Sequence, residues 1–424
     1  MTPPPTLAEA MVAAFKARGV TRIFGIPGGG SSLDLIDAAG RQGLDFVLTR
    51  GETAAALMAA VSAELTGAPG VVLTGIGPGA ASVVNGVAYA SLERAPLVAI
   101  TDAREPDTGT PPHQVFDQQA LFAPITKASR RLTPEDGARV LDELLERALA
   151  QPQGPVHIDL SAKDAGSALA VPLATTDGPA ETNPGAVAGD IEAARRLLAQ
   201  SRRPLLAAGI QARAAEAAAA LRRLAEALRC PVLTSYKAKG VLADDHPQVV
   251  GHFTGARAEA AALARADLVL CVGVDPVELI PAPWFFEAPL LALSNHPGLE
   301  FPVAPAATLE GPLGTCVELL AEAAAPSDWR QAELATLKQR LRDCLRLEGA
   351  GHTAASVVAA AAELAPKGAR ATVDAGAHMF STMALWPARA PYDVLKSTGL
   401  STMGFALPAA IAAALVEPAR PVVA

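Results

Sequence analysis

Glu52 is the residue whose type and surroundings most strongly indicate chemistry in this sequence. It follows Arg50 and Gly51 and is the only charge in the stretch Gly51–Val61, which is otherwise mostly apolar. A glutamate in the first turn of a helix is stabilised by exposed N–H groups and by the helix dipole, which is the purely structural interpretation. Two glycine-rich turns flank it, Phe24–Ser31 and Thr74–Ala80. Because glycine lets a backbone approach a ligand closely, the three segments together predict a carboxylate that faces a ligand between two loops.

The first glycine turn does not match the common nucleotide-binding loops. Gly28, Gly29 and Gly30 are followed by Ser31 and Ser32, whereas a P-loop requires Gly-Lys-Ser/Thr and the dinucleotide fingerprint requires G-x-G-x-x-G. A plain strand-to-helix turn also explains these glycines. We therefore do not expect this loop to bind a nucleotide.

Composition limits the class of protein. The chain has 424 residues, which suits about two or three domains, and it is 50% hydrophobic but only 4% aromatic. A formal net charge of −8 argues against a nucleic-acid-binding protein with a basic surface. Neither a signal peptide nor an apolar run near the ~20 residues of a membrane span is evident, so we expect no membrane partner and a cytoplasmic location. The cysteines form no C-x-x-C pair and indicate reduced, buried thiols: Cys230, Cys271, Cys316 and Cys344.

Residues 7 to 165 alternate short apolar strands with helices, which predicts a parallel, doubly wound α/β sheet. The expected strands are Arg22–Gly25, Phe46–Thr49, Gly70–Thr74, Pro96–Asp102 and Val156–Leu160, and the expected helices include Leu7–Arg18 and Ser32–Ala39. Ligands bind beyond the carboxyl ends of such strands, where both glycine turns lie. We expect this first domain to span residues 1–167.

Two further α/β domains are expected, at residues 186–325 and 350–424. Residues 165–190 lack a periodic pattern and predict a linker, and a charged helix over residues 328–347 is expected to connect the second and third domains. The expected elements are strands at 203–208, 231–235, 267–274 and 371–374 and helices at 213–228, 256–266, 354–364 and 406–415. The chain ends at Val422-Val423-Ala424, the start of another strand, so the third domain is expected to be incomplete.

Several segments, in this order along the chain, resemble the thiamine diphosphate (ThDP) enzymes of the acetohydroxyacid (acetolactate) synthase and pyruvate oxidase branch. They are Phe24-Gly-Ile-Pro-Gly-Gly, Arg50-Gly-Glu, Gly75-Ile-Gly-Pro-Gly79, Ala95-Pro-Leu-Val-Ala-Ile-Thr101, Leu121-Phe-Ala-Pro-Ile-Thr-Lys127 and Gly399-Leu-Ser-Thr-Met-Gly-Phe-Ala-Leu-Pro-Ala-Ala410. The resemblance implies three doubly wound parallel-sheet domains: a pyrimidine-binding domain, a central domain and a diphosphate-binding domain, the last one incomplete.

The resemblance implies catalytic roles for Glu52, Gln114 and His113. Glu52 corresponds to the glutamate that bonds the pyrimidine nitrogen, so that the exocyclic amine can deprotonate the thiazolium ring. Its apolar neighbours are expected to raise the pKa of its carboxyl group by desolvation. Gln114 aligns with a glutamine that faces the reactive carbon. His113 replaces a phenylalanine and is expected either to transfer protons or to remain a solvated loop side chain. Gly51 stands where the family often has histidine.

The resemblance also implies cofactor-binding residues in two groups. The first group forms the wall and the pyrimidine-side loop: Ile26, Pro27, Gly28, Gly77, Pro78 and Gly79. The second group lies near the diphosphate and the bend between the two rings: Gly376, Ala377, His378, Ser401 and Met403. Met403 would wedge between the rings, whereas outside this motif a methionine is usually core filler. The Thr-Asn that commonly follows the pyrimidine-side loop is replaced by Ala81-Ser82.

Mg²⁺ is expected together with ThDP, but no metal ligand is expected within this chain. The family holds Mg²⁺ with a Gly-Asp-Gly motif followed by Asn, and that motif is expected just after residue 424. FAD is possible in the central domain but is not favoured, because Gly273-Val-Asp-Pro-Val-Glu278 stands where flavin-binding relatives carry a Gly-Met-His-Gly turn and an Arg-Phe-Asp-Asp stretch.

The resemblance implies a 2-keto acid decarboxylase and carboligase of the acetolactate synthase kind. One alternative is a non-ligating decarboxylase of the benzoylformate or indolepyruvate kind, which His113 favours. A second alternative is a catalytically inactive scaffold, which the missing Gly-Asp-Gly motif favours. A homodimer or homotetramer with active sites shared between subunits is expected, and the apolar run Thr53–Val61 is expected to contribute to its interface.

Overall fold

A computed structural model describes residues 4–105, 111–170, 187–255, 259–284, 286–343 and 351–424. The chain forms two compact units. The first contains Met1–Glu181 and Leu407–Ala419, and the second contains Thr182–Ala406 and Arg420–Ala424. No helix among the described residues is long and apolar enough to cross a membrane.

The first unit is built on a parallel sheet. Its strands are β1 (Arg22–Ile26), β2 (Asp45–Leu48), β3 (Gly70–Thr74), β4 (Leu97–Ala103), β5 (Ser129–Arg131) and β6 (Val156–Ser161). Its helices are α1 (Leu7–Ala17), α2 (Ser31–Gln42), α3 (Glu52–Thr66), α4 (Pro78–Leu92), α5 (Gln118–Phe122), α6 (Gly137–Leu149) and α7 (Ala162–Gly166). The strands lie in the order β2-β1-β3-β4-β6-β5, and all of these pairs are parallel. The chain thus places β2 on one side of β1 and then places β3, β4, β5 and β6 on the other side.

Local sequence explains where these elements begin and end. Thr6 and Glu9 form a capping box at the start of α1. Helix α2 ends at Gly43, whose φ of 76° suits glycine. All residues of β3 are buried, as expected for a central strand with both faces covered.

Helix α3 is buried over most of its length, and glycines in its neighbours make this possible. Ala55–Val61 are at most 4% exposed. A Cβ on Gly86 of α4 would lie 2.4 Å from the Cβ of Ala56, and a Cβ on Gly70 of β3 would lie 2.2 Å from the oxygen of Ala59. The absence of a polar face on this run, which suggested an interface, is therefore explained by packing within the chain.

The second unit contains a larger sheet. Its strands are β7 (Ala188–Gly189), β8 (Pro204–Ala208), β9 (Val232–Thr234), β10 (Val249–His252), β11 (Leu268–Val272), β12 (Leu290–Ser294) and β13 (Ala307–Glu310). Its helices are α8 (Ile191–Gln200), α9 (Ala215–Leu228), α10 (Ala260–Leu263), α11 (Leu313–Ala321) and α12 (Gln331–Asp343). The order is β10-β9-β8-β11-β12-β13-β7, and the pairs are parallel except that β7 runs antiparallel to β13.

A small parallel sheet follows along the chain, and its strands also belong to the second unit. The elements are α13 (Ala354–Leu364), β14 (Arg370–Val373), α14 (Ala377–Leu385), β15 (Val394–Lys396), α15 (Ala406–Val416) and β16 (Val422–Val423). The strands lie in the order β15-β14-β16. The predicted fold class of parallel α/β sheets in three domains is confirmed, and the exact domain boundaries remain predictions.

Most predicted elements occur in the structure, with shifts of a few residues at their ends. The linker prediction over 165–190 lies mostly outside the described residues. Residues 256–258 of the helix predicted at 256–266 and residues 344–347 of the helix predicted at 328–347 also lie outside them, and in the described part these helices cover Ala260–Leu263 and Gln331–Asp343. The strands β5, β7, β10, β12, β13 and β15 were not predicted, and the sequence analysis gave no bounds for the helices α4 to α8, α11 and α14. Among the described cysteines, Cys230, Cys271 and Cys316 are free and buried as predicted, and Cys344 lies outside the described residues.

Candidate active site

A cleft of about 430 Å³ opens at the carboxyl ends of β1 and β3 in the first unit. The connection after β1 leads to β2 on one side of β1, and the connection after β3 leads to β4 on the other side. The cleft therefore lies at the switch point, where open α/β sheets bind ligands. The cleft is lined by Ile26, Pro27, Gly28, Gly29, Gly30, Glu52, Gly75, Ile76, Pro78, Gly79, Asp102, Ala103 and Gln114. The structure therefore brings together most of the first group of predicted site residues.

Glu52 is placed by the start of α3. Gly51 precedes the helix in an extended conformation, and Glu52 is half-buried at the cleft wall. The hydroxyl of Thr53 donates to the carbonyl oxygen of Ser82 at 2.6 Å, which ties the first turn of α3 to α4. The position of the carboxyl group thus depends on the close packing of two helices.

The first glycine loop is folded around the carboxylate of Asp102, at the end of β4. Asp102 is 4% exposed and accepts hydrogen bonds from the Ser31 hydroxyl at 2.6 Å and from both the N–H and the hydroxyl of Ser32 at 2.9 Å. The N–H of Gly30 is 3.3 Å from its other oxygen. A Cβ on Gly28 would lie 2.0 Å from Asp102 Oδ2, so the loop requires glycine there. Gly30, Ser31 and Ser32 thus form a shell of hydrogen-bond donors around a buried carboxylate.

Asp102 also affects the charge at the start of α2. Burial, followed by the negative charges of Asp37 and Asp102, raises the pKa of Asp34. Glu52 and Asp102 are the acidic side chains among the described residues that line the cleft, and no basic side chain lines it. The cleft therefore favours a ligand that presents positive charge or hydrogen-bond donors.

Gln114 and the second glycine loop contact each other directly. Gly77 has φ 63°, and a Cβ there would lie 2.2 Å from the carbonyl oxygen of Gln114. Gln114 itself has φ 57°, a conformation that costs energy for a residue with a Cβ. Gly79 lies over Thr74, since a Cβ on Gly79 would be 2.4 Å from the Thr74 hydroxyl. Gly77 itself is beneath the surface and is not among the described lining residues.

His113 is exposed and is not among the described residues that line the cleft. It is adjacent in sequence to Gln114, which does line it. Proton transfer by His113 therefore stays a prediction, and no contact described for its side chain supports the role.

The second group of predicted site residues lies in the second unit, at the carboxyl end of β14. Gly376 precedes α14, whose first residues are Ala377 and His378. Asp374 links this turn to the loop that carries Met403, because it accepts hydrogen bonds from the N–H groups of Gly404 at 3.1 Å and Ala406 at 2.6 Å. The structure thus brings the two parts of this group to one edge of the small sheet.

Ser401 and Met403 are presented on that loop in different ways. Ser401 has φ 52°, and its hydroxyl donates to the carbonyl oxygen of Thr398 at 2.9 Å. Met403 is 81% exposed, so it is not core filler within this chain. An apolar side chain this exposed is suited to contact a ligand or another surface.

No group of three or more His, Cys, Asp or Glu side chains that could hold a metal ion occurs among the described residues.

At the carboxyl ends of β8 and β11, Glu278 accepts hydrogen bonds from the N–H groups of Ile210 at 2.8 Å and Asp275 at 3.0 Å, and from the hydroxyl of Ser235. Burial raises the pKa of Glu278 to about 7, although these hydrogen bonds oppose the shift.

Sequence reasoning missed two residues that shape the cleft, Asp102 and Gln118. Asp102 was taken only as the end of an apolar strand, although a charge at that position was a usable signal. Gln118 carries no such signal, because its partners are 16 to 41 residues away in sequence.

Three parts of the chain match the domains of one enzyme family. Residues 5–121, 191–288 and 374–424 match the N-terminal TPP binding domain, the central domain and the C-terminal TPP binding domain of the thiamine pyrophosphate enzymes, thiamine pyrophosphate being another name for ThDP.

Similar proteins cover almost all of the chain. The acetolactate synthase isozyme 2 large subunit of Escherichia coli is 30% identical over 426 residues, which are 97% of this chain and 76% of that protein. The catabolic acetolactate synthase of Raoultella terrigena is 30% identical over 444 residues, 98% of this chain and 77% of that protein. A probable 2-ketoarginine decarboxylase of Pseudomonas aeruginosa is 32% identical over 440 residues, 98% and 76% respectively. The chain therefore belongs to the thiamine pyrophosphate enzymes.

Proposed function

We propose that this protein is a ThDP-dependent enzyme that decarboxylates a 2-keto acid and joins the remaining fragment to a second keto acid or aldehyde, as an acetolactate synthase does. The observation that carries the proposal is the cleft at the β1/β3 switch point, which Glu52, Gln114 and two glycine loops line. The similarity to acetolactate synthases over almost the whole chain supports the same activity.

The residues of the cleft fit the pyrimidine end of this cofactor. A volume of about 430 Å³ is in the usual range for small-molecule sites. Gly29 lines the cleft, and a Cβ there would meet no atom within 4 Å, so the glycine leaves space that a side chain would take. Two acidic side chains, Glu52 and Asp102, line the cleft, and no basic side chain is among its described lining residues. This charge suits a ligand that carries an amine and a positively charged ring.

Bound there, ThDP would supply the electron sink that takes up the electrons of the carbon–carbon bond when CO₂ leaves. The protein's own part is positioning and proton control. The Glu52 carboxyl group, which lines the cleft, would form the hydrogen bond to the pyrimidine nitrogen. Gln114 would orient the keto acid through its amide. Ile26, Pro27, Gly28, Pro78 and Gly79 would form the walls.

Residues of the second unit would hold the other end of the cofactor. The first N–H groups of α14, beside Gly376, Ala377 and His378, are natural donors to a diphosphate. The carbonyl oxygen of Ser401 would accept a hydrogen bond from the exocyclic amine of the pyrimidine. The exposed Met403 would contact the cofactor at the bend between its two rings. Mg²⁺ is proposed to be required together with the diphosphate.

A flavin is not proposed for the central sheet. A diphosphate at the β8/β11 edge would need free N–H groups, and those of Ile210 and Asp275 are already bonded to Glu278. A Cβ on Gly209 would lie 2.2 Å from the Cα of Val274 and 2.5 Å from Glu278 Oε1, so this edge is tightly filled.

Decarboxylation without ligation is the second candidate. The 32% identity to a probable 2-ketoarginine decarboxylase supports it, and so does the position of His113 beside Gln114, where a proton donor would release an aldehyde. Analysis of the products separates the two candidates, because hydroxyketones of the acetolactate kind require ligation and free aldehyde does not.

The substitution Glu52→Gln tests the central claim. Consumption of pyruvate and of longer 2-keto acids is measured with ThDP and Mg²⁺, and the variant is expected to lose about 100-fold or more because the proton at the pyrimidine nitrogen is no longer controlled. Glu135→Gln changes an exposed glutamate in the same unit and should have little effect. Full activity of Glu52→Gln would remove the claim. If the unaltered protein neither binds ThDP in calorimetry nor consumes a keto acid, it is an inactive scaffold.

A further inference from the structure

Gln118 is a buried amide in a segment that is otherwise exposed. It is 5% exposed, whereas its neighbours Asp117 and Gln119 are exposed. Asp117 caps the short helix α5 by accepting from the N–H of Ala120 at 2.9 Å. The cap explains the start of the helix but not why the next side chain points inward. A buried amide needs partners for its oxygen and its nitrogen, and the partners of Gln118 define its role.

The oxygen of Gln118 is bonded to the pyrimidine-side loop. Its Oε1 accepts from the N–H of Gly77 at 2.9 Å, and its Nε2 lies 2.7 Å from Asp159 Oδ1, 3.0 Å from Thr101 Oγ1 and 3.1 Å from the carbonyl oxygen of Asp102. Because the Gly77 N–H can only donate and the Asp159 carboxylate and Asp102 carbonyl can only accept, the amide has a single orientation.

Behind Gln118 lies a continuous buried network. The hydroxyl of Thr101 donates to Asp159 Oδ1 at 2.7 Å, so it accepts from His157 Nε2 at 2.9 Å, and Ser129 bonds His157 Nδ1 at 2.7 Å. Phe122 of α5 stacks on the His157 ring, with 4.0 Å between centroids. These residues fix Asp159 to β4, β5 and β6, so Gln118 is bonded to a rigid part of the sheet.

The same segment holds Gly77 from its other side. The carbonyl oxygen of Gln114 occupies the space where a Cβ of Gly77 would be, 2.2 Å from that point, and Gln114 has a left-handed φ of 57°. Residues 114–118 thus enclose the Gly77 turn, with the Gln114 backbone on one side and the Gln118 amide on the other. A shift of the turn must shift Gln114.

We propose that Gln118 is a positioning residue, which fixes the Gly77 turn and Gln114 against the Asp159 network and so sets the geometry of the cleft. This inference rests on the proposed function, in which the Gly77 turn and Gln114 serve the cofactor and the keto acid. Gln118 itself does not touch either of them. A strained Gln114 is maintained because the surrounding bonds determine its position.

Removal of the amide is the first test. Gln118→Leu keeps a similar volume but loses every hydrogen bond, and it is expected to lower kcat roughly 10- to 100-fold with a smaller change in KM, because small displacements in an active site are costly. Hydrogen exchange followed by mass spectrometry should become faster in peptides that cover residues 75–80 and 111–117. The matched control Gln119→Leu changes the exposed neighbour and should alter neither readout.

An exchange of the two polar groups is the second test. Gln118→Glu places a carboxylate against Asp159, so its activity and the protection of residues 75–80 should fall as pH rises and the pair loses a shared proton. Adding Asp159→Asn restores a donor opposite the introduced carboxylate. The double variant is expected to recover about tenfold or more relative to Gln118→Glu and to lose that pH dependence. Exchange in peptides outside residues 75–80 and 111–117 separates this local effect from a loss of stability, because unfolding would speed up exchange throughout the first unit.

The possible outcomes distinguish the positioning role of Gln118 from the proposed function of the protein. If Gln118→Leu keeps its kcat within about two-fold of the unaltered protein and its exchange is unchanged, the positioning role is wrong. The same holds if the double variant is no better than Gln118→Glu. If the unaltered protein consumes no 2-keto acid with ThDP and Mg²⁺, the proposed function fails, whereas the hydrogen-exchange measurements still decide whether Gln118 fixes the Gly77 turn.

Discussion

His157 shows how a single buried residue in the first unit links stability to pH. Its ring is fully buried between Thr101, Ser129 and Phe122, close to the carboxylate of Asp159 and the amide of Gln118. Burial lowers the pKa of His157 to about 4, although the charge of Asp159 opposes the shift. The neutral ring is therefore the form that the native network accepts.

The shift predicts a loss of stability in acid. The unfolded chain binds a proton at the ordinary pKa of about 6.5, whereas the folded chain does not until about pH 4. The contribution of His157 to the free energy of unfolding is fully present above pH 6.5. As pH falls from 6.5 to about 4, the free energy of unfolding decreases by up to about 3 kcal/mol. His157→Gln should reduce this loss, and the exposed His352→Gln should not.

The measurement must report on the first unit. The three tryptophans, Trp284, Trp329 and Trp386, lie in the second unit, so their fluorescence does not follow this region. Hydrogen exchange of a peptide that covers β6 gives the free energy of opening locally. An equal loss of that free energy between about pH 6.5 and about pH 4 in His157→Gln and the unaltered protein would contradict the prediction.

At the scale of residues, the sequence could predict most of the side chains that line the cleft but not those that hold them in place. Glu52, Gln114 and the glycines belong to contiguous segments, and a charge or a glycine in an apolar stretch is visible without a structure. Asp102 and Gln118 act through partners 16 to 72 residues away. Such pairs are determined by the strand order, which the sequence pattern does not give.

At the scale of elements, the contact between α3 and α4 decides where Glu52 lies. The Cβ of Ala56 occupies the space beside Gly86, 2.4 Å from where a Cβ on Gly86 would be. Gly86→Ala is therefore expected to lower the free energy of opening of the first unit by about 1–3 kcal/mol, since the helices must move apart. It should also lower the rate of keto acid consumption, because the start of α3 carries Glu52.

Gly40 offers the matched control for this prediction. It is exposed in α2, and a Cβ there would meet no atom within 4 Å. Gly40→Ala is expected to raise the free energy of opening by about 0.5–1 kcal/mol, because alanine costs less backbone entropy in a helix. Hydrogen exchange of β3 measures both variants. A destabilising effect of the same size in both would show that the helix contact is not the cause.

Some of the elements that the sequence failed to predict are short or polar, although β12 is a buried apolar strand of five residues. Strand β15 has three residues, and β5 is Ser129-Arg130-Arg131, without the apolar residues that indicate a strand. Helix α14 starts in the turn at Gly376, where only a loop was expected. By contrast, β3 and α13 have the predicted bounds, since β3 is an apolar run that begins at a glycine and α13 is one that a threonine caps. Tertiary contacts rather than local pattern specify β5 and β15.

At the scale of the whole molecule, the central sheet raises the question of a second cofactor. Glu278 occupies the N–H groups at the β8/β11 edge that a flavin diphosphate would need. We expect purified protein to show no visible flavin absorbance after release by denaturation, and added FAD to leave the activity unchanged. Flavin in an amount comparable to the protein would contradict this expectation.

Assembly is the second question at this scale. A homodimer or homotetramer is proposed, and three exposed apolar side chains of the described chain are candidates for an interface: Met403 at 81%, Leu407 at 66% and Ile411 at 43% exposure. Sedimentation at several protein concentrations should reveal a dimer or larger species. Leu407→Glu should shift the equilibrium to the monomer, because a charge there loses its water on association. A strict monomer at every concentration would contradict the proposal.

Mixing of two inactive variants tests whether the sites are shared between subunits. Glu52→Gln alters the cleft of the first unit and Met403→Asp alters the exposed loop of the second, so each variant alone should be nearly inactive. If each site takes Glu52 from one subunit and Met403 from the other, half of the dimers in an equal mixture are mixed, and each of these has one intact site out of two. Activity should then return to about one quarter of that of the unaltered protein. If Glu52 and Met403 of the same chain serve one site, each site keeps the defect of its own chain in every mixed dimer. Mixing then restores no activity, and that result would contradict the shared-site proposal.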